Sequence, residues 1–121
     1  MPVTINSISY NNGTLTLSRL NTETTVFSYS GGQTTVIIEG WISLQNMQLG
    51  DVTTITVYIT VDGTNYYVFL QRTFAGPADS PILRIHTIQI PPGMGIKITI
   101  NQITGTPRSY PYYFIMQVLS S

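Results

Sequence analysis

Charge is what this chain has least of. Five basic and five acidic side chains stand among 121 residues, or 8 %, against roughly 25 % in an average soluble protein. The ten are scattered and cancel, so no basic stripe exists to neutralise phosphates or settle on anionic lipid, and no nucleic-acid partner is expected. Cysteine is absent, which excludes disulfides, thiolate chemistry and Cys-ligated metals. There is one histidine, so a two-histidine metal site is excluded as well. The opening Met1-Pro2-Val3-Thr4 has no basic n-region and no apolar segment. Synthesis in a cytoplasm without a signal peptide is therefore expected. Apolar runs are far too short for a membrane-spanning helix, and no membrane insertion is expected. No stretch keeps the apolar spacing of an amphipathic helix.

What fills the chain instead is Thr, Ile, Val and Tyr, with Ser, Asn and Gln. Strand signals recur at the roughly 8–12-residue spacing of a sandwich or barrel. Asp62-Gly63 between alternating apolar residues predicts a hairpin with a type I′ turn. That turn would set Val61 opposite Thr64, Ile59 opposite Tyr66, Val57 opposite Val68 and Ile55 opposite Leu70. Tyr58 would then face Tyr67, and Thr56 would face Phe69. A second hairpin is predicted between residues 82–90 and 95–103 through the Pro91–Gly95 turn. A bulge near His86-Thr87 would reconcile the two apolar phases of its first strand. From Thr35 to Leu44, Val36, Ile38, Ile42 and Leu44 fall on one face and Trp41 on the other. Residues 112–119 are apolar on both faces, which predicts a central or covered strand. Shorter strands are predicted near 3–10, 14–19 and 23–29, separated by Asn11-Asn12-Gly13 and a loop near Asn21. Gly31-Gly32, Leu49-Gly50-Asp51 and Gly76-Pro77 punctuate the rest. Eight or nine antiparallel strands in 121 residues predict an all-β antiparallel sandwich of jelly-roll type, with residues 1–121 as a single domain.

Sites of chemistry are mostly refused. His86 has no Ser setting beside it of the kind a catalytic triad needs. Of the five acids, Asp62 belongs to its turn, and Asp51 and Asp79 lie in loop contexts. Glu39 is placed to pair with an arginine or to line a subunit contact. Gly93-Met94-Gly95 before Lys97 lacks the ending and the helix of a phosphate loop. Asn12-Gly13-Thr14 reads as a turn. The chain reads as no enzyme, with no cofactor. Its abundant currency is aromatic: Trp41, Tyr58, Tyr67 and Phe69, then Tyr110, Tyr112 and Tyr113. These serve either to fill the core or to form subunit interfaces. Arg72, Arg84 and Arg108 are candidates to anchor contacts, or else ordinary surface ion pairs.

A neutral surface lacks the repulsion that keeps proteins monomeric, which suits a subunit meant to associate. The stretches Val61-Asp62-Gly63-Thr64-Asn65-Tyr66, Thr73-Phe74-Ala75-Gly76, Lys97-Ile98-Thr99-Ile100-Asn101-Gln102, Gly105-Thr106-Pro107-Arg108 and Tyr110-Pro111-Tyr112 resemble small β-sandwich proteins of archaeal and bacterial virus particles. The resemblance covers the C-terminal half; residues 1–50 carry none. It implies a virion structural role, as a capsid, turret or decoration subunit with a jelly-roll fold, and transfers no functional residue. The partners implied are copies of the chain and other particle subunits. The alternatives are a subunit of an extracellular filament or surface layer, and a carbohydrate-binding module. A glycan site of the usual kind, aromatics with clustered acids and amides, is not found in the sequence.

Overall fold

The computed structural model describes residues 4–120. Eight strands succeed one another: β1 Thr4–Thr16, β2 Thr24–Ser30, β3 Val36–Ser43, β4 Val52–Thr60, β5 Tyr67–Ala75, β6 Ile82–Ile90, β7 Gly95–Thr104 and β8 Ser109–Ser120. They form two four-stranded sheets. Sheet A has the order β1-β8-β3-β6, and sheet B the order β2-β7-β4-β5. Strands pair antiparallel as β1 with β8, β2 with β7, β3 with β6 and β4 with β5. Such nested pairing is one long hairpin wound into two sheets, the jelly-roll arrangement of an antiparallel sandwich.

The core lies between the sheets. Sheet A contributes Val36, Ile38, Ile42 and Phe114; sheet B contributes Phe27, Ile55, Val57, Ile96, Ile98 and Ile100, all buried. Phe27 stacks on Phe114 across the interior, with ring centroids 4.8 Å apart. Gly40 makes room for that ring, since a Cβ there would sit 2.4 Å from Phe114 Cδ1 and 2.7 Å from the Tyr113 carbonyl oxygen. The β3 pattern is as expected: Val36, Ile38, Ile42 and Leu44 are buried and Trp41 faces outward. Strand β8, apolar on both faces, has β1 on one side and β3 on the other. The bulge expected at His86-Thr87 is present, where Ile38 pairs with Ile88 but Gly40 pairs with Ile85.

Three expectations are corrected. The Asp62-Gly63 turn is a six-residue loop, because β4 ends at Thr60 and β5 begins at Tyr67. Gly63 is left-handed (φ 84°) but Asp62 is not, so the type I′ geometry fails. Asp62 Oδ1 instead accepts from the Thr64 and Asn65 amides (2.8 Å each) and the Thr60 hydroxyl (3.0 Å). These bonds hold its carboxyl well below the usual range, the Asn65 amide contributing most. The longer loop moves the register: Ile59 faces Tyr67, Tyr58 faces Val68, and a bulge at Phe69 then sets Val57 opposite Leu70. Residues 82–90 and 95–103 do not form a hairpin. Strand β6 pairs with β3 in sheet A, while β7 pairs with β2 and β4 in sheet B. The Pro91–Met94 turn carries the chain from one sheet to the other. Lastly, Asn11-Asn12-Gly13 does not break the chain; it lies inside the 13-residue β1. Gly13 is tolerated there because the Tyr112 side chain lies over it, with its hydroxyl 3.2 Å from where a Cβ would be.

Candidate assembly surfaces

Residues opposite one another in adjacent strands share a face, so the register assigns each side chain to the core or to the outside. In sheet A, Asn11 pairs with the buried Phe114, Ser9 with Met116 and Ser7 with Val118, so these three polar residues of β1 are on the core side. Ile5, Ile8 and Tyr10 fall on the outer side, opposite Leu119, Gln117 and Ile115. The alternation of β1 thus sets its polar phase on the core side of the sheet and its apolar phase on the outer side, and both phases are exposed. Tyr10 is 60 % exposed.

The outer face of sheet A continues this apolar character. One rung runs Asn12, Tyr113, Trp41, Arg84 across β1, β8, β3 and β6. The next carries Tyr10, Ile115 and Glu39, and the one after it Ile8, Gln117 and Ile37. Tyr10 meets Tyr113 edge-on, centroids 6.0 Å apart and planes 68° apart, so the two rings make no flat shelf for a sugar. Trp41, Ile82, Pro111 and Tyr113 line a shallow depression at the end of this face. Glu39 and Arg84 are the only formally charged residues on these four strands, and they pair with each other at 3.2 Å. Thr87 donates to the same carboxylate. The face is therefore apolar and neutral.

Across β7, β4 and the Gln71–Thr73 part of β5 the outer face of sheet B is polar and internally bonded, whereas at the other end of β5 Tyr67, Val68 and Phe69 are exposed. Lys97, Thr99 and Asn101 of β7 stand beside Thr54, Thr56 and Tyr58 of β4, with Gln71 and Thr73 of β5 at the edge. Glu23 accepts from the hydroxyls of Thr99 and Tyr58. Those bonds, Thr99 first, lower its pKa, and the Glu23 bond raises that of Tyr58. Thr54 bonds Thr73 (2.9 Å), Gln71 donates to Thr56 (3.0 Å), and the Lys97 ammonium lies 5.0 Å from the Tyr58 ring centre. Asn101 Oδ1 is the one buried side-chain oxygen without a partner among the described residues.

The residues singled out from sequence are distributed rather than gathered. Trp41 and Arg84 are on the outer face of sheet A. Tyr58 is on that of sheet B. Tyr67 and Phe69 leave Tyr58, as the shifted register requires, and line an open groove of about 320 Å³ with Ile59, Val61 and Val68. Arg72 is exposed on β5, beside a small cavity between the sheet edges lined by Val57, Leu70, Leu83 and Ile85. Arg108 and Tyr110 face inward. Arg108 Nε donates to Asp51 Oδ2 at 2.6 Å, and Asp51 is almost fully buried. Burial pushes the Asp51 carboxyl up, but the Arg108 guanidinium and the Gln48 and Thr106 amides outweigh it, and the net direction is down. Tyr110 is fully buried; its hydroxyl bonds Thr53 (2.7 Å) and donates to Gln102 Oε1 (3.0 Å). The outward Tyr113 belongs to the aromatics read as core or interface, whereas Ile5, Ile8 and Tyr10 were not among the expected interface residues. The signal existed, since Ile8 and Tyr10 alternate with Ser7, Ser9 and Asn11. Alternation separates two faces without saying which of them is inside.

No known protein family profile matches the chain, and no curated protein sequence matches it. Solved structures with the same fold do exist. One is the subunit of Bacillus endospore appendages, described as disulfide-linked pili: 13 % identity over 94 % of this chain and 90 % of that one, TM-score 0.59. Another comes from infectious bursal disease virus, Gx strain: 18 % identity over 93 % of this chain but only 32 % of that one, TM-score 0.51. T=1 particles derived from that virus give 15 % identity and TM-score 0.50, again over about a third (31 %) of the other chain. At these identities the likeness is one of fold.

Proposed function

We propose that the chain is a self-assembling structural subunit without catalysis, which packs the outer face of sheet A against other copies in a virus particle as a capsid, turret or decoration protein. The observation that carries this reading is the apolar outer face of sheet A. A strand whose outer side meets water is expected to place polar residues there. Strand β1 places Ile8 and Tyr10 on that side, while Ser7, Ser9 and Asn11 lie on the core side and are exposed as well. Six large apolar side chains on or beside the face, Ile5, Ile8, Tyr10, Trp41, Ile82 and Tyr113, are each 36–60 % exposed. At roughly 200 Å² apiece they present on the order of 600 Å² of uncovered surface. That reaches the upper limit for the largest patch on a typical monomer and approaches the roughly 800 Å² per partner of a stable interface. An occupant must be neutral and apolar, because Glu39 and Arg84 already satisfy each other. A copy of the same face meets that demand.

An extracellular filament is the second reading. It is favoured by the pilus subunit, whose fold matches over nearly its whole length, whereas the capsid protein matches over a third of its own. Both readings share the assembly step. Electron microscopy of the concentrated purified protein tests them together: closed particles support the first, tubes or fibres the second. A protein that sediments as a monomer throughout a concentration series overturns both.

A further inference from the structure

Two packed sheets have four edges, and a bare edge is a template for another strand unless something protects it. Here the edges are β1 and β6 in sheet A and β2 and β5 in sheet B. Strand β6 carries Arg84, His86 and a central bulge. Strand β5 carries Arg72 and a bulge at Phe69. Strand β2 is only seven residues long and is bulged at Val26. Strand β1 has none of these devices. It is 13 residues long, without Pro, Lys or any charged residue, and exposed along nearly its whole length. Its one irregularity lies at the far end, between Ile5 and Ser7, leaving Ser7 to Thr16 in unbroken register.

From this contrast, and resting on the assembly reading above, we propose that β1 pairs antiparallel with β1 of a second copy across a two-fold axis. The product is a continuous eight-stranded sheet, β6-β3-β8-β1 joined to its own reverse. The contact is isologous, so each residue i meets residue j and j meets i. An axis perpendicular to the sheet keeps outer faces outer, so facing residues must belong to the same phase and their numbers must sum to an even value. Using the greatest number of regular rungs then leaves two registers. With Asn11 on the axis, Ser7 faces Leu15 and Tyr10 faces Asn12. With Asn12 on the axis, Ile8 faces Thr16 and Tyr10 faces Thr14. In both, the apolar outer faces of two copies merge into one surface of twice the extent. Edge pairing and face packing thereby become successive contacts of one assembly, which a single isologous contact could not extend.

The absence of cysteine makes the test direct, because any introduced thiol is unique. Facing Cα atoms in an antiparallel pair lie about 4.5–5.5 Å apart, within disulfide reach. Asn11→Cys and Asn12→Cys, both exposed positions, are oxidised mildly beside a Ser28→Cys control on the β2 edge. One of the two β1 variants is expected to give a disulfide dimer at least tenfold faster than the control. In parallel, Ser9→Lys combined with Asn11→Lys sets like charges along the edge and is expected to weaken self-association at least tenfold. Wild-type protein that assembles while neither cysteine cross-links above control, and while the lysine variant assembles normally, overturns the edge pairing and leaves the assembly reading standing. Wild-type protein that stays monomeric overturns both.

Discussion

The two outer faces of this sandwich are built from the same few residue types and finished in opposite ways. On sheet B, Thr99 and Tyr58 bond Glu23, Gln71 bonds Thr56, and Thr54 bonds Thr73, so these polar groups are tied to one another. On sheet A, Ile8, Tyr10, Tyr113 and Trp41 stand out from the surface, and its single ion pair cancels its own charge. Scarcity of charge alone would not separate the two. The difference lies in what the outer phase carries: Thr54, Thr56, Lys97 and Thr99 on sheet B, and Ile8, Tyr10, Tyr113 and Trp41 on sheet A. A low-charge composition therefore yields an apolar face on sheet A and a largely polar one on sheet B, whose apolar exception is the Tyr67–Phe69 end of the β5 edge.

That contrast rests on a platform common to both faces, and the deepest cut removes the platform. Phe114→Ala deletes a fully buried ring stacked on Phe27. It is expected to cost about 3–5 kcal/mol in denaturant unfolding, with both faces lost together. A loss under about 1 kcal/mol would mean that the sheets do not share this core. Next is the staple at one end of the sandwich. Asp51→Asn breaks a pair whose acid is 1 % exposed and whose arginine is 28 % exposed. Arg108 retains some water, so a loss of about 2–3 kcal/mol is expected, somewhat below that of a fully buried pair.

The same carboxylate sets the acid limb. Its folded pKa lies below the ordinary value of 3.8, so the stability it supplies is complete above that value and is lost as pH falls through the folded one. Glu23 and Asp62 are lowered too and act in the same direction. Unfolding free energy is expected to be nearly flat from about pH 5 to 8, as befits so few titratable groups, and to drop below about pH 4. A maximum confined to acid pH would contradict the sign. The smallest effect belongs to the polar face. Glu23→Gln removes an exposed, solvent-screened acceptor and should cost under about 1 kcal/mol in thermal unfolding, without altering assembly. A measurable change in particle formation would show that the sheet B face is also a contact.

Much of this was legible along the chain, though not its sidedness. Period-2 patterning gave the β3 core row, the covered character of β8 and the bulge at His86-Thr87, because these depend on neighbours within a strand or on one shared face. Pairing across the sandwich was not legible. Strands β6 and β7 look like a hairpin, since both have an apolar phase and a Pro-Gly turn between them. Only the packing of β6 on β3 and of β7 on β4 decides that they part company. At Asp62-Gly63, local side-chain bonds from the Asp62 carboxylate outcompeted the two-residue turn, and the Phe69 bulge completed the shift. The phase of β1 escaped because Asn11 is placed on the core side only through its partner Phe114, 103 positions later.

The most direct test of the sided surface adds equal charge to each face. Tyr10→Lys with Tyr113→Lys loads sheet A, and Ser28→Lys with Thr73→Lys loads sheet B, all at exposed positions. Surface changes of this kind usually leave monomer stability within about 0.5 kcal/mol. Sedimentation velocity over a concentration series then reads the outcome. Wild type and the sheet B variant are expected to form large species while the sheet A variant remains a folded monomer. Assembly by the sheet A variant that matches wild type would contradict the account.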